Sequence, residues 1–374
     1  MYIDYLTWYK DVEIELHSRS DAHHVLISSS VCEPTHMLEQ DIRASLDDDF
    51  ARHIAIPDSW GYPPLIESIS ERYGVDRSWI VPTGGVSNSL YLVCSEFLGS
   101  RGHVVIETPC YRPLEIVPAM TGAAIGRITR RSPDYSVDPD EVGRVVKAET
   151  QLIILSNLHN PTCAHLDDEL LIEVADAARS INPQILILVD EVYHDFVTEN
   201  QKSAALLDSC FISMNSLTKV YGLGSLHVGW IIARPDVAER IAGMFVPVEG
   251  SGSRVRDLVA SRIVGRLDQY LDRSVKLTNA NRGILGSALA ELLDRGILEG
   301  NVSSVGCTYF PRLRGVDTTD EICRRLAEED SVYVVPGRFF DAPGHVRIGY
   351  GCESEKLKAA VRQFTAGMSN QHRG

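Results

Sequence analysis

Five short apolar runs mark the middle of the chain: 103–106 (HVVI), 152–155 (LIIL), 185–189 (ILILV), 211–214 (FISM) and 228–233 (VGWIIA). Each is too short for an ordinary helix and lacks the polar alternation of a half-exposed strand, so each reads as a buried strand. The segments between them have helical length; 167–180 (DDELLIEVADAARS) opens on two aspartates, which suit the positive start of a helix. Strands alternating with helices predict an α/β fold on a largely parallel sheet.

The pattern changes after Gly250-Ser251-Gly252. A long amphipathic stretch, 254–296, predicts helices leaving the first domain, and 303–365 mixes short strands with helical patterns such as 319–329 (TDEICRRLAEE). Three parts are therefore expected. Residues 1–33 form an arm, carrying Tyr2, Tyr5, Leu6, Trp8 and Tyr9, that packs on the small domain or a second subunit. Residues 34–250 form a large domain, and 251–374 a smaller α+β domain with the interdomain helix. No internal repeat points to a solenoid.

Length and composition agree with this division: 374 residues with 44% hydrophobic content exceed one compact domain. The formal charge of −15, spread along the chain, opposes a nucleic-acid partner, which requires clustered Lys and Arg. No apolar run approaches the roughly 20 residues of a membrane span and no leader pattern opens the chain, so a soluble cytoplasmic protein is expected. The eight cysteines include no CxxC pair and no histidine at zinc-ligand spacing. They are expected to be reduced, mostly packing, thiols, with no metal site; only Cys32 and Cys163 fall beside candidate chemistry.

That chemistry sits at strand ends, where open α/β sheets collect ligands. Lys219 lies in the glycine-bearing loop 216–224 (SLTKVYGLG), between two buried strands. Strand 185–189 runs into Asp190-Glu191-Val192-Tyr193, and strand 152–155 into Ser156-Asn157-Leu158-His159-Asn160-Pro161-Thr162-Cys163. Pro82-Thr83-Gly84-Gly85-Val86-Ser87-Asn88 precedes a helical pattern, and exposed amides at a helix start make an anion cradle. Taken singly, these are a solvated lysine, a helix cap and two turns. Their order gives them a different meaning.

From about residue 28 to 365 the chain resembles the class I/II aminotransferases, fold-type I enzymes dependent on pyridoxal 5'-phosphate (PLP). The resemblance implies a large domain on a mostly parallel seven-stranded sheet, a smaller α+β domain and a homodimer. It makes Lys219 the lysine that holds the cofactor as a Schiff base and then moves the substrate's Cα proton. Asp190 matches the carboxylate on the pyridine nitrogen. Tyr193 and Asn160 match the pair on the ring's 3'-oxygen, and Tyr111 the aromatic stacked on the ring. For the phosphate the resemblance points to Gly85, Val86 and Ser216, with Ser87 as an addition and Tyr62 reaching across from the neighbouring subunit. Arg347 matches the two-pronged grip on the substrate α-carboxylate, with Asn160 beside it, while Arg338 reads as a structural arginine.

Three departures bear on the reaction. The family's phosphate-binding arginine, eight residues beyond the lysine, is His227, a weaker and pH-dependent partner. The glycine after Asn-Pro-Thr is Cys163, where a glycine-compatible backbone is not assured. The usual Gly-Glu-Pro is Cys32-Glu33-Pro34, preceded by Ser28-Ser29-Ser30-Val31. Residues 27–31 (ISSSV) are similar to a stretch in the capreomycidine synthase branch, which includes cyclases of hydroxylated arginine such as L-enduracididine cyclase. Ser30 and Glu33 are the expected substrate contacts there, with Glu33, His23 or His24 binding guanidinium. The open alternatives are an ordinary aminotransferase and, from another class, a cofactor-sensing module without turnover. The −15 charge and the lack of a basic DNA-binding extension oppose the last.

Overall fold

The computed structural model describes residues 4–18, 24–57, 60–197, 202–250 and 252–371. Its centre is a seven-stranded sheet of β1 (Ile80–Thr83), β2 (His103–Thr108), β3 (Ala124–Thr129), β4 (Thr150–Ser156), β5 (Leu186–Asp190), β6 (Phe211–Ser216) and β7 (Gly229–Ile232), in the order β1-β7-β6-β5-β4-β2-β3. β7 runs antiparallel to both neighbours and every other pair is parallel. The five apolar runs are strands within a residue or two of their expected limits. β3 was not visible in the sequence: it is an edge strand (AIGRIT) with a single buried residue, Ile128, and no alternation to mark it.

Side-chain alternation along the strands fills two layers. Val104 and Ile106 of β2 join one cluster with Leu90, Val93 and Phe97 of α1 (Val86–Phe97) and with Ile241 and Phe245 of the helix Pro235–Glu249. Val105 faces the other way, into a cluster with Leu171, Val174 and Ala178 of α2 (Asp168–Ile181). The expected aspartates do start α2: the Asp167 carboxylate accepts from the Leu170 amide at 2.9 Å.

Strand register then aligns the functional ends. Ser156 pairs with Asp190, Asp190 with Met214, and Gly229 with both Thr83 and Ser216. The last residues of β4, β5 and β6 and the first of β7 thus lie side by side.

The 254–296 stretch is two helices, Arg254–Val264 and α3 (Leu267–Asp294). Beyond them, strand Val346–Gly349 lies between Thr308–Tyr309 and Val335–Pro336, antiparallel to both, with the helices Asp320–Asp330 and α4 (Ser354–Gln371) sharing its core. At the N-terminus Asp4–Ser18 is a helix whose Tyr5 and Trp8 pack on Phe339, ring centroids 5.2 and 5.0 Å away.

Between that helix and the sheet runs a strap, residues 26–32. Its amides and carbonyls bond on both sides: Leu26 N to Tyr333 O (2.9 Å), Gly349 N to Leu26 O (2.7 Å), Cys32 N to Gly351 O (2.8 Å) and Val31 N to Lys219 O (3.1 Å). The approach demands glycine, because a Cβ at Gly349 would overlap the Ser28 carbonyl and one at Gly351 the Ser30 carbonyl. Gly349→Ala should therefore lower stability by on the order of 3 kcal/mol or more in denaturant titrations. Gly143→Ala, on the helix Pro139–Val145 where an added methyl meets nothing within 4 Å, should raise it by about 0.5–1 kcal/mol. Equal effects would mean that the strap is not held this tightly.

Candidate active site

The strap closes a cleft at the aligned strand ends, and Lys219 stands on its floor. The Lys219 ammonium donates to Ser29 Oγ at 3.3 Å. Some of the side chain remains accessible, but its charged end is deeply packed; burial first, then the positive charge of Arg347, lowers its pKa. A lysine so placed can act as a base or nucleophile near neutrality.

Asp190, at the end of β5, is buried, and burial pushes its carboxyl up to about 7. The Val192 amide, which donates to it at 3.2 Å, and the Lys219 charge oppose that rise, while Glu107 and Glu191 add to it. Behind it lies a buried ion pair, Arg130–Glu107 at 2.8 Å. His159 packs beside this pair with Nε2 2.8 Å from the Pro109 carbonyl and Nδ1 2.7 Å from the Thr162 hydroxyl. A carbonyl only accepts, so Nε2 carries the proton, and burial together with Arg130 keeps the ring neutral.

Arg347 is fully buried and joins four parts of the chain. Its Nη1 donates to Asn160 Oδ1 at 3.1 Å, and its Nη2 to the Ile27 carbonyl at 2.8 Å and the Tyr5 hydroxyl at 3.3 Å; its Nε has no partner among the described residues. The Tyr193 hydroxyl donates to the Ser29 carbonyl at 2.7 Å. Tyr111 meets Tyr5 edge to face, centroids 6.0 Å apart, on the same cleft.

At the start of α1, Gly85 has φ 88° and caps the helix. The His227 ring lies 3.3–3.7 Å from where a Gly85 Cβ would be, itself on a left-handed residue (φ 52°), and a Cβ at Gly229 would meet the Gly85 backbone. Val86 and Ser87 open the helix, and the Ser216 hydroxyl pairs with Thr218 Oγ1 at 2.7 Å in the adjoining loop. Backbone amides at a helix start, two hydroxyls and an imidazole compose a phosphate cradle.

Several expectations change. The serine hydrogen bonded to Lys219 is Ser29, not Ser30, whose backbone amide donates to Ser28 Oγ at 3.1 Å in a local turn. Glu33 is engaged by the Ser225 amide and hydroxyl at 3.0 and 2.5 Å, fastening the lysine loop instead of facing the cleft. His24 pairs in a two-residue strand with Val332 and lines a different crevice, with His17 and Lys356; His23 lies outside the described residues. Tyr62 is enclosed in its own chain, its hydroxyl donating to the His53 carbonyl at 3.4 Å, and as placed offers nothing to a neighbour; the exposed aromatic of that turn is Trp60. Arg338 pairs with Asp320 and covers the Phe339 ring, a structural arginine as expected.

Cys163 keeps the left-handed backbone of the glycine it replaces (φ 60°), its thiol 3.0 Å from Thr308 Oγ1. All eight cysteines are free thiols. Cys32 accepts from Arg273 at 3.2 Å, and Cys307, which the sequence did not single out, reaches the Ser29 carbonyl at 3.4 Å. Tyr5, Ser29 and Thr218 were also missed. Alternation marks Ser29 as facing opposite to Ser28 and Ser30, a signal that was available. Tyr5 carries none, since its contact spans the length of the chain.

This arrangement of lysine, buried acid, arginine and anion cradle has a counterpart among known proteins: the family model for aminotransferase class I and II matches residues 31–364. The chain belongs to that family. Among its relatives, capreomycidine synthase of Streptomyces vinaceus is 27% identical over 299 residues, 79% of this chain and 76% of the relative. An aspartate aminotransferase of Pyrococcus horikoshii is 25% identical over 377 residues, 96% of this chain and 94% of the relative. Of solved structures, a PLP-dependent aminotransferase from Streptococcus suis superposes with a TM-score of 0.81 at 24% identity over 96% of this chain and 97% of its own. The PLP-dependent cyclase OrfR gives 0.84 at 21% identity over 98% and 96%. The family member described here is accordingly an α/β fold-type I enzyme with PLP as its cofactor. Among the described residues no helix is long and apolar enough to cross a membrane.

The site residues fit that cofactor: Asp190 suits a protonated pyridine, Lys219 an aldehyde, and the Gly85 cradle a phosphate. Before a cation arrives, the raised Asp190 pKa destabilises the fold. A buried acid with a folded pKa near 7 and an ordinary value near 3.8 when unfolded costs nothing below pH 4 and progressively more as pH rises to 7. Asp190→Asn should therefore leave the melting temperature of the cofactor-free protein unchanged near pH 3 and raise it at pH 8, by an energy on the order of 4 kcal/mol at most. A pH-independent difference between the two proteins would contradict the burial argument.

Proposed function

We propose that this enzyme acts at Cα of a hydroxylated L-arginine, removes the side-chain hydroxyl and closes the guanidine onto the chain. The carrying observation is the Ser29 hydroxyl 3.3 Å from Lys219 Nζ. Amino-group exchange needs one proton carrier at Cα, whereas expelling a hydroxyl needs a second hydrogen-bonding group beside it. Capreomycidine synthase among the relatives and the cyclase OrfR among the fold neighbours support the reading.

PLP, when bound, supplies an electron sink for the pair left at Cα. The side chains do the rest. Arg347 grips the α-carboxylate with its two-pronged guanidinium, and Asn160, hydrogen bonded to that guanidinium, would take the ring oxygen together with Tyr193. Asp190 holds the ring nitrogen's proton. Gly85, Val86, Ser216 and His227 hold the phosphate. Lys219 takes the Cα proton, and its burial, which lowers its pKa, favours the neutral amine that this step needs. Overall one C–O bond breaks, one C–N bond forms, one water leaves, and the amino group stays in place. The second reading, an ordinary aminotransferase using a 2-oxo acid, draws on the aspartate aminotransferase that aligns with nearly the whole chain.

Incubation with β- and γ-hydroxyarginine in deuterated water, without any 2-oxo acid, separates the two. A cyclic product carrying deuterium at Cα or Cβ is expected; consumption of substrate only after a 2-oxo acid is added would establish the second reading. Lys219→Ala should lose the visible absorbance of lysine-bound cofactor and all turnover, and residual turnover would remove Lys219 from its role. His227→Arg should slow cofactor loss on dialysis several-fold, since a permanent, forked cation replaces an imidazole; an unchanged rate would mean that position 227 does not reach the phosphate.

A further inference from the structure

The strap is more than a lid. Three successive points on it touch four different groups of the site: the Ile27 carbonyl accepts from Arg347 (2.8 Å), the Ser29 hydroxyl accepts from Lys219 (3.3 Å), and the Ser29 carbonyl accepts from Tyr193 (2.7 Å) and Cys307 (3.4 Å). With the close passages at Gly349 and Gly351 and the Val31 bond to the Lys219 carbonyl, the Ser29 backbone has no freedom to withdraw its hydroxyl. The Ser28 hydroxyl is engaged by the Ser30 backbone, accepting from its amide at 3.1 Å and donating to its carbonyl at 3.5 Å. Ser29 is buried, so bulk water does not compete for its hydrogen bond.

We propose that Ser29 relays the proton that Lys219 removes from Cα to the departing side-chain hydroxyl, and so commits the substrate to loss of water. The inference rests on the cyclase reading. A substrate whose carboxylate is on Arg347 and whose Cα is within reach of Lys219 lies along the strap, with its side chain beginning at Ser29. The serine hydroxyl is too weak an acid to donate unaided. It acts by exchange: the Lys219 ammonium gives a proton to Ser29 Oγ as Ser29 gives its own to the leaving oxygen. The C–O bond breaks with its electron pair, water departs, Lys219 is left neutral and Ser29 is unchanged. No oxidant or outside acid enters.

Two measurements on Ser29→Ala and Ser29→Thr test this. In the cofactor-free protein, the pH profile for labelling of Lys219 by an amine-reactive reagent, read by peptide mass spectrometry, should move to lower pH in Ser29→Ala, because the hydrogen bond favouring the ammonium is gone, and should return toward wild type in Ser29→Thr. In the loaded enzyme, Cα hydrogen–deuterium exchange of plain arginine should fall less than tenfold in Ser29→Ala while water loss from hydroxyarginine falls about 100-fold or more, the usual range for a lost acid–base group, with partial recovery in Ser29→Thr. An unmoved labelling profile, or equal losses in exchange and elimination, would overturn the relay. If wild type exchanges Cα hydrogen yet releases no water from either hydroxyarginine, the cyclase reading itself fails and the relay falls with it. The unmoved profile alone leaves that reading standing.

Discussion

A guanidinium taken wholly out of water is the constraint on which this structure turns. Arg347 sits at zero exposure, and such a charge is tolerated only where fixed acceptors replace its hydration. Here the acceptors are a side-chain amide, a backbone carbonyl and a phenol, from the Asn-Pro turn, the strap and the N-terminal helix. No carboxylate among the described residues pairs with it. It is therefore a charge held in reserve for an anion, and the three segments it gathers are the ones that shape the cleft. Its strand, Val346–Gly349, also carries the glycine that lets the strap pass. One buried cation thus ties the Asn-Pro turn, the strap and the N-terminal helix to one another.

The sheet supplies the rigid half. Parallel strands in register place Ser156 and Asp190 side by side, and the antiparallel β7 brings Gly229 back between Thr83 and Ser216. Cys163 and His227 both hold left-handed backbones, as do Tyr135, Ser331 and Asp341 elsewhere, at costs of about 1 kcal/mol each that the surrounding packing must offset. Both stand where the family pattern departs, the first keeping a glycine's conformation and the second putting an imidazole against the phosphate cradle.

How much of this was legible varied with the range of the interaction. Buried parallel strands show as unbroken apolar runs, so the sheet's interior could be read directly; the edge strand Ala124–Thr129, with one buried residue, could not. Lys219, Asp190 and Asn160 stand at or just beyond strand ends, but placement alone leaves them a solvated lysine, a helix cap and a turn; their roles are legible only through the order they share with the family. Tyr5 and Cys307 were not legible, because they reach the site across the whole chain. The strap shows the intermediate case: the sequence marks its run of serines and points to Ser30, whereas Ser29 bonds the lysine, a one-residue difference that reverses the face of an extended segment. Glu33 and Tyr62 were read as facing outward to ligand or neighbour, whereas intrachain bonds to Ser225 and His53 claim them.

The fate of the substrate's nitrogen is the most direct measure of what these parts do together. With hydroxyarginine labelled with 15N at the α-amino group and an excess of 2-oxo acid present, a site that moves protons along Lys219 and Ser29 keeps the label in a product one water lighter than the substrate. Label recovered on the amino acid formed from the 2-oxo acid, with the hydroxyl still on the substrate's carbon skeleton, would contradict the account.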